Sequence, residues 1–133
     1  MPKLGKTSKE RLATCHIALQ EIVERSVEIM DLTVLCGFRD REAQEEAYSS
    51  GASKARFGQS LHNASPSLAV DIAPYPVRWD DLERFVLLAG VLKAVSHDLG
   101  YSQILRWGGD WDRDDHMLDE NFRDYVHFEI KES

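Results

Sequence analysis

Apolar residues recur at helical spacing from Leu12 to Met30, with Leu12, Cys15, Leu19, Ile22, Val23, Val27 and Met30 on one face. Thr7 and Glu10 ahead of them have the spacing of a capping box, so one amphipathic helix is predicted over 8–29. His16 lies beside the stripe and reads as a boundary or core residue. Leu32 to Phe38 (L-T-V-L-C-G-F) is short and rich in β-formers, which predicts a strand, and Gly37 allows a bulge or close backbone approach at its end. Asp40 can cap a helix running to about Tyr48, which leaves Arg39 at a strand-to-helix junction. Residues 49–61 are small and polar with two glycines, a loop long enough to suggest a functional role.

The stretch Ser60 to Pro74 (S-L-H-N-A-S-P-S-L-A-V-D-I-A-P) passes from turn-forming residues into an apolar run that Asp71 interrupts. Such a run between turn signals predicts a buried strand. Asp80 and Glu83 have capping spacing, and Leu82, Phe85, Val86, Ala89, Leu92, Val95 and Leu99 predict another amphipathic helix, stopped by Gly100. His97 falls on its polar side. Ile104 to Trp107 reads as a short strand leading into W-G-G-D-W. Residues 110–124 are strongly acidic; without a D-x-D-x-D-G pattern they read as a solvated loop before a calcium site. Tyr125 to Ile130 alternates, with Tyr125, His127 and Glu129 on one side and Val126, Phe128 and Ile130 on the other, the pattern of a half-buried strand.

Composition narrows the classes. The chain has 133 residues, 43% hydrophobic and 29% charged, which suits one globular domain over 1–133. No apolar run approaches the roughly 20 residues of a membrane span, and the N-terminus lacks the apolar segment of a secretory signal. A net charge of -7 with scattered basic residues argues against nucleic acid. Cys15, on the helix face, and Cys36, in a strand, read as two buried thiols of a reduced compartment.

A carboxylate inside a buried strand is costly unless it is paired or bound to a metal, and the residues alone leave both open for Asp71. His62, Asp71 and His127 would supply the two imidazoles and one carboxylate of a catalytic zinc site, whose fourth position holds water. Asp124, three residues before His127, could exchange a proton with that water, or be a solvated end of the acidic loop. Arg39 could hold a substrate carbonyl, or be a surface arginine paired with Asp40 or Glu42.

G-F-R with Gln44 five residues after Arg39, S-x-H ahead of A-V-D-I-A-P, L-R-W-G-G-D-W and D-Y-V-H-F-E occur in order across roughly residues 32–130. Together they resemble the zinc D-Ala-D-Ala carboxypeptidase and L-alanyl-D-glutamate peptidase family, most closely phage endolysins of the L-alanyl-D-glutamate endopeptidase type. The resemblance implies an α+β fold like that of the hedgehog and D-Ala-D-Ala peptidases: a small antiparallel sheet with packed helices and zinc between its middle and last strands. It implies one zinc ion per chain on His62, Asp71 and His127, Asp124 as catalytic base, and Arg39 holding the substrate carbonyl. Gln44, Ser60, Trp107 and Asp110 would then bind substrate or shape its cleft, and Glu129 would support a ligand. The commoner family pattern, S-x-H-x-x-G-x-A-x-D, spaces the first two ligands more closely; here eight residues intervene and the glycine is missing, which puts the shape of the 63–67 turn in question.

The implied function is a monomeric peptidoglycan peptidase that cuts the peptide stem at L-Ala–D-Glu. If phage-encoded, it stays in the bacterial cytoplasm until a pore protein releases it to the wall. A D-alanyl-D-alanine carboxypeptidase or dipeptidase with the same zinc chemistry is the alternative, and a non-catalytic wall-binding module is a third.

Overall fold

Alternation along the strands decides which residues meet the helices and which are left for chemistry. In the computed structural model, which describes residues 2–101, 103–110, 113 and 124–131, β1 (Leu32–Cys36), β2 (Ala69–Pro74), β3 (Leu105–Trp107) and β4 (His127–Ile130) form one antiparallel sheet. The spatial order is β1-β2-β4-β3. Leu32, Val34, Val70, Ile72, Phe128 and Ile130 belong to the hydrophobic core together with Leu19, Ile22 and Val23 of α2 (Ile17–Ile29) and Leu88, Leu92 and Val95 of α4 (Leu82–Asp98). Asp71, His127 and Glu129, which alternate with those strand residues, therefore share the opposite side. The α+β architecture expected from sequence is the one observed.

The helix predicted over 8–29 is instead two, α1 (Lys6–Leu12) and α2, separated at Ala13–His16. The interruption has a long-range cause. Ser67 donates its N–H to the Thr14 carbonyl (2.9 Å) and accepts the His16 N–H (2.8 Å), so Cys15 and Ser67 form a short parallel bridge. Backbone groups that would have continued the helix are used to hold the turn between His62 and Asp71. His16 becomes the N-cap of α2, with Nδ1 accepting from the Ala18 N–H at 3.1 Å. Cys15 is accordingly buried in the break and not on a helix face; it and Cys36 are free thiols, Cys36 only partly buried.

Other boundaries shift for local reasons. The Thr7–Glu10 capping box does not form: α1 starts after Gly5 with no side-chain cap, and the Ser8 hydroxyl accepts from the Val34 N–H of β1 (2.9 Å). Asp40 caps α3 (Arg41–Ser49) as expected, accepting from the Ala43 N–H at 2.9 Å. At α4 the N-cap is Asp81, not Asp80, and it makes no side-chain cap bond. Gly100 follows α4 with φ +86°, the left-handed conformation its stop signal implies. β1 ends at Cys36, two residues early, with a register shift between Val34 and Cys36. A Cβ on Gly37 would run into the Arg11 carbonyl and the Thr14 hydroxyl, so the expected close approach is real. Tyr125 and Val126 lie in the turn before β4, and Glu129 is only 5% exposed, so β4 is covered on both sides and not half-buried. Most of the acidic 110–124 stretch, and with it the calcium question, lies outside the described residues.

Candidate metal centre

Ser60 opens the short helical turn Leu61–Asn63: its hydroxyl accepts the His62 N–H (3.2 Å), while Asn63 Oδ1 accepts the Ser60 N–H (3.2 Å). This puts His62, 3% exposed, against β1 and β2. Its Nδ1 is 2.7 Å from the Gly37 carbonyl, an acceptor, so Nδ1 carries a hydrogen and Nε2 is the nitrogen that could ligate a metal in exchange for its proton. That Nε2 lies 3.2 Å from Asp71 Oδ1, and His127 Nδ1 lies 3.2 Å from the same oxygen. On its far side His127 Nε2 meets Glu129 Oε1 at 2.7 Å, and Glu129 Oε2 accepts from Arg106 Nε at 3.1 Å.

One donor atom from each of His62, Asp71 and His127 thus lies within 4.8 Å of the others. Ligand atoms about 2.0–2.2 Å from a tetrahedral ion sit about 3.3 Å apart. The two 3.2 Å separations at Asp71 match that spacing. The outer nitrogen of each histidine is anchored, one on a carbonyl and one on a carboxylate, as in metal sites whose imidazoles are held ready. The donor set fits a metal ion. Electrostatics between protein groups alone point the same way. Burial opposes charge on all three residues, yet the hydrogen bonds of Asp71 outweigh it and raise His62 to about 10 and His127 to about 9. Asp71 itself, despite burial, is held well below the usual carboxylate range by the two histidines. A site that gathers positive charge around one carboxylate can exchange protons for a cation.

Arg39 reaches the cluster and does not pair with Asp40 or Glu42 in any described contact. Its N–H donates to the His62 carbonyl (2.8 Å), and its Nη2 lies 3.7 Å from Asp71 Oδ2. Nη1 donates to Gln44 Oε1 at 3.0 Å. Gln44 corrects an expectation: it is 0% exposed, and its Nε2 is spent on Ser53 Oγ (3.1 Å) and the Ala55 carbonyl (2.6 Å), so it supports Arg39 instead of presenting a group to substrate. Cys36 is beside them, with Arg39 Nη2 donating to its sulfur at 3.5 Å. Burial raises the Cys36 pKa, but His62 and Arg39 outweigh it and lower the thiol below its ordinary value.

Asp124 is brought in by backbone. Its N–H donates to the Gly108 carbonyl (2.8 Å), its carbonyl accepts from His127 N–H (3.2 Å), and Gly108 N–H closes the turn on the His127 carbonyl (2.8 Å). A Cβ on Gly108 would overlap the Asp124 carbonyl. Burial, followed by the charge of Asp71, raises the Asp124 pKa, partly offset by His127 and His62. Trp107 pairs with Phe128 across the ladder and stacks on it, so its ring lies on the helix side of the sheet, where Asp110 and α4 also line a cavity. Its Nε1 holds the Tyr125 carbonyl at 2.9 Å. Both motif residues thus stand behind the cluster. Arg106 and Asn63 carry contacts that motif reading passed over; for Arg106 the alternation Arg106–Trp107 opposite Phe128–Glu129 was the available signal.

Sheet and cluster together define an α+β protein with a candidate metal-binding face. A family model described as phage L-alanyl-D-glutamate peptidase matches residues 1–131, and the chain belongs to that family. Membership assigns a peptidase that acts on peptidoglycan. Among solved structures, the fold is similar to that of the L-Ala D-Glu endopeptidase ChiX of Serratia marcescens, with TM-score 0.73 and 23% identity over 95% of this chain and 87% of that one. A comparison with curated proteins finds no match. No helix among the described residues is long and apolar enough to cross a membrane.

Proposed function

We propose that this protein is a zinc-dependent endopeptidase that cuts the L-Ala–D-Glu bond of the peptidoglycan stem. Its ligands are His62, Asp71 and His127, in a single catalytic domain spanning 1–133 that works as a monomer. The observation that carries the zinc is the convergence of those three donors within 4.8 Å, each histidine anchored from behind. Zinc held there would polarise the scissile carbonyl and lower the pKa of the attacking water. Asp124 takes the proton of that water and passes it to the leaving amine; its raised pKa makes it a stronger base than an ordinary aspartate. Arg39, held beside Asp71, steadies the negative charge that develops on the carbonyl oxygen. Ser60 shapes the His62 turn, Gln44 fixes Arg39, Trp107 braces the turn that carries Asp124, and Asp110 lines the cavity behind it. As a phage-encoded lysin, the protein would stay in the bacterial cytoplasm until a pore opens the way to the wall.

Digestion of purified muropeptides with zinc-loaded protein, with and without chelator, tests this reading by mass analysis of the products. Products cut between L-Ala and D-Glu, lost on chelation and restored by zinc, are expected. Release of D-Ala alone would establish the carboxypeptidase alternative, and undiminished cutting in chelator would remove the zinc.

A further inference from the structure

We infer that Asn63 is a positioning residue that sets the Arg39 guanidinium against the metal centre. This deepens the proposed function and rests on its assignment of Arg39. Asn63 contributes no atom to the centre. It follows His62 directly and begins the turn whose length departs from the family pattern. Its side-chain amide is fully used: Oδ1 accepts from the N–H groups of Gly58 (2.9 Å) and Ser60 (3.2 Å), and Nδ2 donates to the Arg39 carbonyl (3.0 Å) and to Gln44 Oε1 (3.2 Å). An amide offers two acceptor sites and two donors, and each is matched here.

The partners belong to three different segments: the 49–61 loop, the β1–α3 junction and α3. Arg39 is consequently gripped on both sides of its own peptide units, its N–H by the His62 carbonyl (2.8 Å) and its C=O by Asn63. Its side chain is gripped too, because Arg39 Nη1 and Asn63 Nδ2 donate to the same Gln44 oxygen. Gln44 cannot turn away, since its other end is fixed on Ser53 and Ala55. The ligand turn, the arginine and the glutamine therefore form one polar unit with Asn63 at its centre. An aspartate at this position keeps the shape and the acceptor role of Oδ1. It loses both donors, and it sets a charged oxygen against the Arg39 carbonyl and Gln44 Oε1, an arrangement that no rotation of the carboxylate repairs.

The test is a double-mutant cycle on purified muropeptide with the zinc-loaded enzyme: wild type, Asn63→Asp, Arg39→Ala and the pair. Asn63→Asp is expected to lower kcat by about 10–100-fold, the scale of lost supporting contacts, with KM and zinc stoichiometry unchanged. In the Arg39→Ala background the same change should cost no more than about twofold, because the two residues act through one another. A wild-type kcat for Asn63→Asp, or an equal loss in both backgrounds, would overturn the inference and leave a turn-stabilising role. A wild-type rate for Arg39→Ala would instead overturn the assignment of Arg39 itself. Circular dichroism checks folding, and if Asn63→Asp does not fold, Asn63→Ser is carried through the same cycle.

Discussion

His127 stands directly opposite Asp71 in the β2–β4 ladder, and its Nδ1 lies 3.2 Å from Asp71 Oδ1. Two of the three candidate ligands are thus placed by strand register. A slip of one residue would turn either side chain toward the hydrophobic core. The third, His62, comes from a turn, and that turn is where the chain spends its irregular contacts: the bridge to Cys15 and the amide of Asn63.

The register also places Arg106 opposite Glu129, which holds His127 from behind. Glu129→Gln is expected to weaken zinc binding by about 10–100-fold, measured by competition with a chromophoric chelator. Glu129 additionally makes stability depend on pH. Burial raises its pKa, but His127 and Arg106 outweigh it and bring it below its ordinary value. A depressed carboxylate stabilises the fold above the unfolded value of about 4.3 and loses that contribution as pH falls through this range toward the lower folded value. Thermal melts of metal-free protein should therefore show a steeper acid loss for wild type than for Glu129→Gln.

Asp124→Asn should lower kcat by about 10²–10⁴-fold, the usual size of general base catalysis. The sign of the pH effect follows from its raised pKa. As a base Asp124 works only when deprotonated, so the acid limb of kcat should fall at a pH above the ordinary aspartate value of about 3.9. An acid limb at or below that value, or one unchanged in Asp124→Asn, would exclude Asp124 as the base.

What sequence order revealed and what it missed divide along physical lines. Local chemistry was legible: the Asp40 cap, the Gly100 stop, the alternation of the last strand, and motifs that named His62, Asp71, His127 and Arg39. The break at Ala13–His16 was not, because Leu12 and Leu19 both remain in the core and the apolar period runs through the interruption. Its cause is a backbone pairing with Ser67, which no side-chain pattern records. The same limit hid Asn63 and the full burial of Gln44, whose contacts to one another and to the backbone carbonyls of Arg39 and Ala55 join segments apart in sequence.

Gly108, the first glycine of the W-G-G-D-W motif, invites a direct contrast with Gly90. A Cβ on Gly108 would overlap the Asp124 carbonyl, so Gly108→Ala should cost about 1–3 kcal/mol of overpacking strain and reduce activity by moving Asp124. Gly90, inside α4, has nothing within 4 Å of the added methyl, and Gly90→Ala should stabilise by about 0.5–1 kcal/mol. Denaturant melts of the two variants, with matched rates on muropeptide, check both signs.

The central claim is that His62, Asp71 and His127 hold one zinc ion that the peptidase needs. Zinc content of the purified protein, measured by atomic emission beside His62→Ala, Asp71→Ala and His127→Ala, tests it most directly. About one zinc per wild-type chain is expected, with loss of both zinc and muropeptide cleavage in each variant that still folds. A wild-type chain that cleaves its substrate without zinc, or variants that keep a full complement, would contradict it.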